Sequence, residues 1–482
     1  MQQKCDIETV IELFKQISLI PRASGKEHGV CKWLENFADE NNMSYTELPA
    51  ENDTAPNVII FIPATDGKKQ APSICLQAHM DMVCQKTPQS KHNFDTDPIE
   101  LVFEEEWIHA KDTTLGADNG IGVAMALAAA ISSNHGPLEL LFTVDEEGGL
   151  GGASAIPPGQ LDSKYMINLD SEDDGFIIGC AGGQRFEINK KCSILETPKD
   201  SQGFRISLSG LIGGHSGVDI NKNRANAIKV CGMLLDMINS KYGLLINSIN
   251  GGSQTTAIAR DAELIIKTPA SEKQLQVVAN EVSDILRVEN PSDSELKITI
   301  ENADIEKACC SEESAAIITL LNSIDCGAIS YCKHFPHIVE TSSSIGTIRF
   351  DSESGDFALA GSERSSQNSG LEMVSERNRD TANKLAFEYN PSTRYSPWQP
   401  DTDSKLLTVC CDVYEKLTGK EPCVEIVHAG LECGVIGQMY PEMDMVSFGP
   451  LIENAHSPQE RVNIESIRTN YKLLLGIIEE LA

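Results

Sequence analysis

The stretch LELLFTVDEEGGLGG (residues 138–152) joins a largely apolar run to three consecutive acids and then to glycines. A short apolar run without polar alternation is typical of a strand buried on both faces, in a sheet covered by helices. Neighbouring carboxylates repel each other, and near a protein interior they are costly unless a cation or hydrogen-bond donors compensate them. The stretch therefore predicts a buried strand that ends at either a bound cation or a solvated acidic turn.

Other apolar runs of similar length extend this prediction to a whole sheet. The predicted strands are NVIIFI (57–62), SICLQAH (73–79), LELLFTV (138–144), YMINL (165–169), CVEIVHAG (423–430) and MVSFGP (445–450). Helical periodicity predicts helices over 6–18, 26–41 and 119–133, the last of them apolar nearly all round. Strands that alternate with helices indicate an α/β fold with a mixed sheet flanked by helices.

The sequence pattern changes near residue 189. Alternating polar and apolar stretches, FRISLSG (204–210) and AELIIKT (262–268), accompany a helical run at 226–240, which indicates an α+β unit with a half-exposed antiparallel sheet. The proline-rich segment 391–404 predicts a linker. We therefore predict an α/β domain in two segments, 1–188 and 389–482, with an α+β domain inserted between them at 189–388.

Composition narrows the class of protein. A chain of 482 residues is too long for one ordinary core, and its formal charge of −32 opposes binding to nucleic acid or to an anionic membrane. Fifteen cysteines without a Cys-x-x-Cys pair suit buried free thiols in a reducing compartment. Neither a secretory signal nor an apolar stretch of membrane-spanning length is expected, so the predicted location is the cytoplasm.

Residue types that bind metals follow several of the predicted strands. SICLQAH ends in His79, with Asp81 two residues further on, and Asp170 and His456 follow later strands. In open α/β sheets ligands bind beyond the carboxyl ends of the strands, so these side chains should converge. Each has a plainer alternative: His79 as a core histidine, Asp118 as a helix cap, and the others in solvated loops. Their shared position favours a metal site.

A charge count indicates the kind of site. Two divalent cations bring four positive charges, which Asp118, Glu147, Asp170 and a hydroxide would neutralise. Imidazole and carboxylate ligands suit two zinc ions, with manganese or cobalt possible. Glu146 then remains without a metal, and a free carboxylate beside an activated water is what hydrolysis requires.

Seven motifs together resemble a known family, the di-zinc metallopeptidases that include carboxypeptidase G, aminoacylase and carnosinase. They are QAHMDMV (77–83), LGADNGIG (115–122), DEEGG (145–149), NLDSE (168–172), GGHSG (213–217), HAGLECG (428–434) and NAHSPQE (454–460). HAGLECG and the chain length are most similar to a dipeptidase branch. The resemblance implies hydrolysis of unblocked dipeptides such as Xaa-His, by a metal-bridging water that Glu146 activates. Carboxypeptidase, tripeptidase and N-acyl amino acid amidohydrolase activities on the same scaffold are the alternatives.

The resemblance also implies that 1–188 and 389–482 form the catalytic domain and that 189–388 is an inserted α+β lid domain. It assigns roles to individual residues as well. It implies that His79 and Asp170 hold one zinc, that Glu147 and His456 hold the other, and that Asp118 bridges the two ions. The remaining assignments are Asp81 orienting His79, Glu146 as general base and then acid, His215 stabilising the oxyanion, and Arg364 pairing with the substrate carboxylate. Glu432, in the subfamily motif with His428, is a hypothetical ligand of the substrate amino group.

Two features of the sequence limit or exclude other assignments. Where relatives usually read Asn-x-Ile-Pro, this chain has Thr256 and Ala259, which puts fine substrate preference in doubt. A serine hydrolase is excluded because its nucleophile motif is Gly-x-Ser-x-Gly. Here Ser216 is followed directly by Gly217, so the second glycine of that motif is one residue too early. A scaffold that binds metal without catalysis is disfavoured because Glu146 is intact.

The length of the inserted lid domain predicts that His215 acts on the site of its own chain. A homodimer that forms through the lid domain is the alternative.

Overall fold

The computed structural model describes residues 7–49, 55–131, 134–333 and 335–482. The chain forms two compact units. The first unit comprises Met1–Cys180, Trp398–Ile426 and Leu431–Ala482, and the second comprises Ala181–Pro397 and Val427–Gly430. The assignment of a catalytic role to the first unit and a lid role to the second stays a prediction.

The opening segment supplies most of the first unit. Its elements are α1 (Ile7–Ser18), α2 (His28–Glu40), β1 (Ser44–Leu48), β2 (Asn57–Ile62), β3 (Ile74–His79), β4 (Leu101–Glu104), β5 (Trp107–Ala110), α3 (Ala117–Ala130), β6 (Leu138–Thr143), α4 (Glu146–Gly149), α5 (Gly151–Ser154), β7 (Tyr165–Asn168) and β8 (Phe176–Cys180).

The second unit follows along the chain. Its elements are β9 (Gly182–Lys191), β10 (Ile194–Glu196), β11 (Gln202–Ser209), β12 (Gly214–His215), α6 (Ala227–Tyr242), β13 (Leu245–Gly251), β14 (Ala257–Ile258), β15 (Ala262–Thr268), α7 (Glu272–Glu289), β16 (Lys297–Asn302), β17 (Lys307–Cys309), α8 (Ser311–Ser323), β18 (Gly327–Tyr331), β19 (Val339–Asp351), β20 (Asp356–Ser365), α9 (Asn368–Lys384) and β21 (Glu388–Pro391). The closing segments are α10 (Lys405–Thr418), β22 (Val424–Val427), α11 (Glu432–Met439), β23 (Asp444–Ser447), β24 (Ile452–Glu453), β25 (Arg461–Asn463) and α12 (Ile464–Leu481).

A mixed sheet forms the centre of the first unit, in the order β1-β2-β6-β3-β7-β23-β8-β22. Strands β6, β3, β7 and β23 run parallel, and β2 and β8 pair with this group antiparallel. The register places His79 opposite Thr143, so β3 and β6 end at the same edge. Both strands are buried throughout, and α3 packs against β3. This is the arrangement that the apolar runs predicted.

The second unit is built on an antiparallel sheet, in the order β16-β11-β15-β13-β19-β20-β9-β21. Residues of β15 alternate between buried and half-buried positions, since one face packs on the core and the other is more open. The core lies between this sheet and helices such as α6, whose buried residues include Leu234 and Ile238. The predicted fold class, an α/β domain with an inserted α+β domain, is confirmed.

The predicted elements agree with the structure to within a few residues. The helices predicted over 6–18 and 119–133 are α1 and α3; residues 6, 132 and 133 lie outside the described residues. The predicted linker 391–404 is in part fixed, because Tyr395 forms a backbone bridge with Gly183 and Trp398 is buried. Within the described ranges, no helix is both long enough and apolar enough to cross a lipid bilayer.

Candidate metal centre

The three acids after β6 lie on a short turn that Asp81 holds in place. The backbone N–H groups of Glu146 and Glu147 donate to Asp81 Oδ1 and Oδ2, each over 3.1 Å. The first acid of the three, Asp145, has a φ of 52°, in the left-handed region. A Cβ placed on Gly148 would lie 2.0 Å from Asp145 Oδ1, so glycine makes room for that carboxylate. Asp145 therefore shapes the turn, and the side chains of Glu146 and Glu147 remain available to bind a metal or to transfer a proton.

Asp81 also orients the imidazole of His79. Its Oδ1 lies 3.2 Å from His79 Nδ1, and Ser24 Oγ donates to its Oδ2 over 2.7 Å. Burial opposes ionisation of Asp81, but the contacts with His79 and these donors lower its pKa overall. A carboxylate beside Nδ1 favours the tautomer with the proton on that nitrogen, which leaves the Nε2 lone pair available to a metal.

Replacing Asp81 with asparagine is expected to lower metal affinity or activity by about 10- to 100-fold, the usual effect of losing the partner of a ligand histidine. The amide keeps the size of the side chain but removes the charge that faces His79. Competition with a chelator would measure the metal dissociation constant. Ser24→Ala is the control, since it removes one donor to Asp81 and should have a smaller effect. Unchanged affinity in Asp81→Asn would exclude this orienting role.

Two groups of three side chains meet at Asp118, one group at each carboxylate oxygen. Asp118 Oδ1 lies 3.0 Å from His79 Nε2, and Asp170 Oδ1 lies 3.2 Å from the same nitrogen. Asp118 Oδ2 lies 2.9 Å from His456 Nε2, and Glu147 Oε1 also lies 2.9 Å from that nitrogen. We call these groups the His79 triad and the His456 triad. All five side chains that the sequence suggested as metal ligands are therefore brought together.

The loop that leads to Asp118 is held by Glu460, a residue that sequence reasoning missed. Glu460 is buried and accepts hydrogen bonds from the backbone N–H groups of Leu115 and Ala117 over 2.8 Å and of Gly116 over 3.1 Å. Burial raises the pKa of Glu460, although these three donors oppose the rise. The available signal was its place at the end of NAHSPQE, the motif that contributes His456.

Arg22, a second residue missed from sequence, ties the end of β3 to the same loop. Its guanidinium is buried and donates to Met80 O over 3.0 Å, to Asp81 O over 2.9 Å and to Gly116 O. Gly116 has a φ of 68°, and a Cβ there would lie 2.4 Å from Arg22 Nη2. Glycine is therefore required at this position. The only sequence signal was an arginine between two predicted helices.

The electrostatics of the centre favour positive charge. Burial alone would lower the pKa of both histidines, but the surrounding carboxylates raise the pKa of His79 well above its usual value and that of His456 to about 12. Burial raises the pKa of Glu147 to about 7, and the nearby Asp118 carboxylate adds to the rise. In a site of this kind, metal ions can take the place of the protons that the imidazoles would otherwise hold.

The donor set fits a pair of metal ions. In each triad the ligand atoms lie within 4.8 Å of one another. His456 Nε2 lies 2.9 Å from Glu147 Oε1 and also 2.9 Å from Asp118 Oδ2, so one ring nitrogen faces two carboxylate oxygens. One N–H group cannot serve both oxygens well, whereas a cation can be shared by all three ligands. Asp118 can serve both ions, since each of its oxygens belongs to a different triad.

Glu146 lies beside both triads. Its carboxylate, His79 and Glu147 have ligand atoms within 4.8 Å of one another. Burial raises the pKa of Glu146 well above its usual value, and the Glu147 and Asp170 carboxylates add to this, while His79 opposes it. A buried carboxyl group with a raised pKa takes up a proton more readily than an exposed one, as a general base requires.

Glu432 belongs to the same unit and lies beneath the ends of β3 and β6. It is fully buried, and its Oε2 accepts hydrogen bonds from Gln77 Nε2 over 2.5 Å and Thr143 Oγ1 over 2.7 Å. Its Oε1 is buried without a hydrogen-bond partner, and burial raises the pKa of the group to about 7. A role in binding the substrate amino group stays a prediction.

In the second unit, His215, Arg364 and His428 converge on Gly217. A Cβ placed on Gly217 would lie 2.4 Å from His428 O, 3.1 Å from His215 Cε1 and 3.3 Å from Arg364 Nε. Thr256, one of the two departures from the family pattern, lies beside this group, because its backbone O accepts a hydrogen bond from Ser216 N over 2.8 Å. The effect of Thr256 and Ala259 on substrate preference stays a prediction.

The fold and the paired triads define the class of the protein, an α/β metal-dependent hydrolase. Comparison with known proteins then gives the family. The chain belongs to peptidase family M20/M25/M40, whose model matches residues 75–480.

Individual relatives agree with this family. The chain is 35% identical to the cytosol non-specific dipeptidase of Escherichia coli K12, over 98% of this chain and 97% of that protein. The crystal structure of aminoacylhistidine dipeptidase from Vibrio alginolyticus is 33% identical, with a TM-score of 0.82 and 98% of each chain covered. Human carnosine dipeptidase 1 shares the fold, with 12% identity, a TM-score of 0.53, and 98% of this chain and 99% of that chain covered.

Proposed function

We propose that the protein is a two-metal dipeptidase that hydrolyses unblocked dipeptides such as Xaa-His. The observation that carries this proposal is Asp118, which presents one carboxylate oxygen to each triad. The triads supply imidazole and carboxylate ligands, which suit zinc, with manganese or cobalt also accommodated. The Escherichia coli and Vibrio relatives are both named dipeptidases, and each matches this chain over nearly its whole length. Their names support dipeptides as the substrate class.

The bound cations would polarise the scissile carbonyl and acidify the attacking water. Glu146 takes the proton from that water and returns it to the leaving amine. Burial, which raises the pKa of Glu146, makes its carboxylate a stronger base and so favours uptake of that proton. Asp81 keeps His79 in the tautomer that a metal ligand needs, and it positions Glu146 by accepting that residue's backbone N–H.

The second unit would supply groups that bind the substrate. His215 Nδ1 accepts hydrogen bonds from Gly217 N over 3.3 Å and Val218 N over 3.1 Å, so the imidazole proton sits on Nε2 and can be donated to an oxyanion. The Arg364 guanidinium donates to Tyr395 OH over 2.9 Å, and its Nε is buried without a partner. A guanidinium fixed in this way suits a bidentate bond to the substrate's free carboxylate.

His428 adds no positive charge beside Arg364. Its Nε2 lies 2.7 Å from Ser342 Oγ, and burial, with Arg364 and His215 nearby, lowers its pKa to about 3. The imidazole is therefore neutral at physiological pH. A neutral ring beside Arg364 avoids repelling the guanidinium while still offering a hydrogen bond.

The name of one relative and the free cysteines together indicate the cellular location of the protein. The Escherichia coli relative is a cytosol protein by name, and every cysteine that the structure describes is free, so we infer that this protein acts in the cytoplasm. Its partner is a small peptide. Pairing of two copies through the second unit stays part of the proposal.

Comparing four substrates would test the proposed specificity: Ala-His, N-acetyl-His, Ala-Ala-His and Ala-His amide. We expect Ala-His to have the highest kcat/KM. Loss of either charged end should cost about 1.5 to 3 kcal/mol, which corresponds to roughly 10- to 100-fold. Arg364→Met should abolish the preference for Ala-His over its amide. Faster cleavage of N-acetyl-His or of the tripeptide would identify an amidohydrolase or a tripeptidase and overturn the proposal.

A further inference from the structure

A second cluster of metal-ligand side chains lies in the second unit. Cys192 follows β9, Cys309 ends β17, and Glu313 lies in the first turn of α8. One ligand atom from each lies within 4.8 Å of the others. Both thiols are buried. Among the described residues, every other cluster of this kind belongs to the two triads and Glu146.

The cluster is held by regular backbone structure. Strands β10 and β17 pair antiparallel, with Ile194 opposite Cys309, and Cys310 N donates to Ser193 O over 3.2 Å. The backbone N–H of Ser193 donates to Glu313 Oε2 over 2.5 Å, which brings that carboxylate to the strand pair. The positions of all three ligands are therefore set by one small sheet and the helix that follows it.

The surroundings of Cys309 favour the thiolate form that a metal ligand needs. Cys309 lies two residues before the first residue of α8, and Ser314 Oγ lies 3.6 Å from its sulfur; both features stabilise a thiolate. Lys190 Nζ lies 3.9 Å from Glu313 Oε1. Two thiolates and one carboxylate carry three negative charges, which Lys190 and one divalent ion would neutralise. Without a cation, a carboxylate held beside two thiols would oppose their ionisation.

We propose that Cys192, Cys309 and Glu313 bind one zinc-type divalent ion and so form a structural site in the second unit. Thiolate ligands select soft or borderline d¹⁰ ions such as zinc and cadmium, and three protein ligands leave a place for a water. A disulfide would join only the two sulfurs, whereas Glu313 beside them supplies the third ligand that a metal ion can use. The proposal is independent of the dipeptidase activity.

Titration of the full-length protein with Cd²⁺ would test the site. Cadmium bound to thiolate gives an ultraviolet charge-transfer band, which ligands restricted to oxygen and nitrogen do not give. We expect the band to reach the same final amplitude in the wild-type protein and in Asp118→Asn, after up to three equivalents in the wild type because the two triads also take up Cd²⁺. It should be absent from Cys192→Ser/Cys309→Ser. Cys231→Ser is the matched control, since that thiol is also buried in the second unit but lies in no cluster.

Glu313→Gln keeps both thiols and tests the site without removing buried sulfur. We expect the Cd²⁺ band to persist in this variant with an affinity about 10- to 100-fold weaker. A band of equal strength in the double cysteine variant would overturn the proposal. So would an intact mass, in protein purified without metal, that shows the loss of two hydrogens and a Cys192–Cys309 disulfide.

Discussion

Replacing Glu146 with glutamine is expected to reduce kcat by about 10²- to 10⁴-fold, the usual contribution of a general base, or more, while the protein retains about two metal equivalents. The two triads do not use this carboxylate, so metal binding should survive. Glutamine has the size of glutamate but cannot take a proton from water. The variant therefore separates proton transfer from metal binding.

Metal content by elemental analysis and kcat on Ala-His would measure the two effects in the same samples. Glu106→Gln is a suitable control, because it makes the same change at an exposed position of the first unit. It should leave both quantities unchanged. Full activity in Glu146→Gln would refute the proposed mechanism, whereas loss of metal together with activity would make Glu146 a ligand.

Replacing Arg22 with methionine is expected to destabilise the first unit by about 3 to 5 kcal/mol, the usual effect of removing one partner from a buried charged group. Met80 O, Asp81 O and Gly116 O would lose their donor. Burial lowers the pKa of Arg22, and the charge of Glu460 opposes this, so the two groups attract each other. The buried carboxylate of Glu460 would therefore lose a nearby positive charge in Arg22→Met.

Urea unfolding followed by tryptophan fluorescence would measure this loss selectively. The chain has three tryptophans, Trp33, Trp107 and Trp398, and all belong to the first unit. Arg22→Lys keeps the charge but lacks the guanidinium fork, so an intermediate loss is expected. Lys416→Met, on an exposed part of α10 in the first unit, should change stability by less than about 0.5 kcal/mol. A similarly small change in Arg22→Met would contradict the prediction.

The first unit was largely predictable because its strands are short apolar runs with ligand-type residues at their ends. The strands predicted over 57–62, 73–79 and 138–144 correspond to β2, β3 and β6. Parallel pairing then requires residues at the carboxyl ends to share one edge. This rule places His79 and the turn after β6 together without knowledge of the loops.

The supporting groups were not predictable in the same way. Arg22 and Glu460 reach the loop around Gly116 from positions 94 and 344 residues away, and no local pattern encodes such contacts. Tyr395 lies in a proline-rich segment whose composition predicts a linker, yet its hydroxyl accepts a hydrogen bond from Arg364. The thiol cluster was also missed, because Cys192 and Cys309 are separated in sequence and are joined by the pairing of β10 with β17.

The short connection between α1 and α2 reaches the metal centre through three side chains. Arg22 and Ser24 hold the end of β3 and Asp81, and Glu27 accepts the backbone N–H of Asp145 over 3.0 Å. These residues all precede the segment 75–480 that the family model covers. A protein trimmed to that segment would therefore keep each proposed ligand but lose part of the structure that positions them. The proposed metal centre thus depends on residues that lie upstream of the segment matched by the family model.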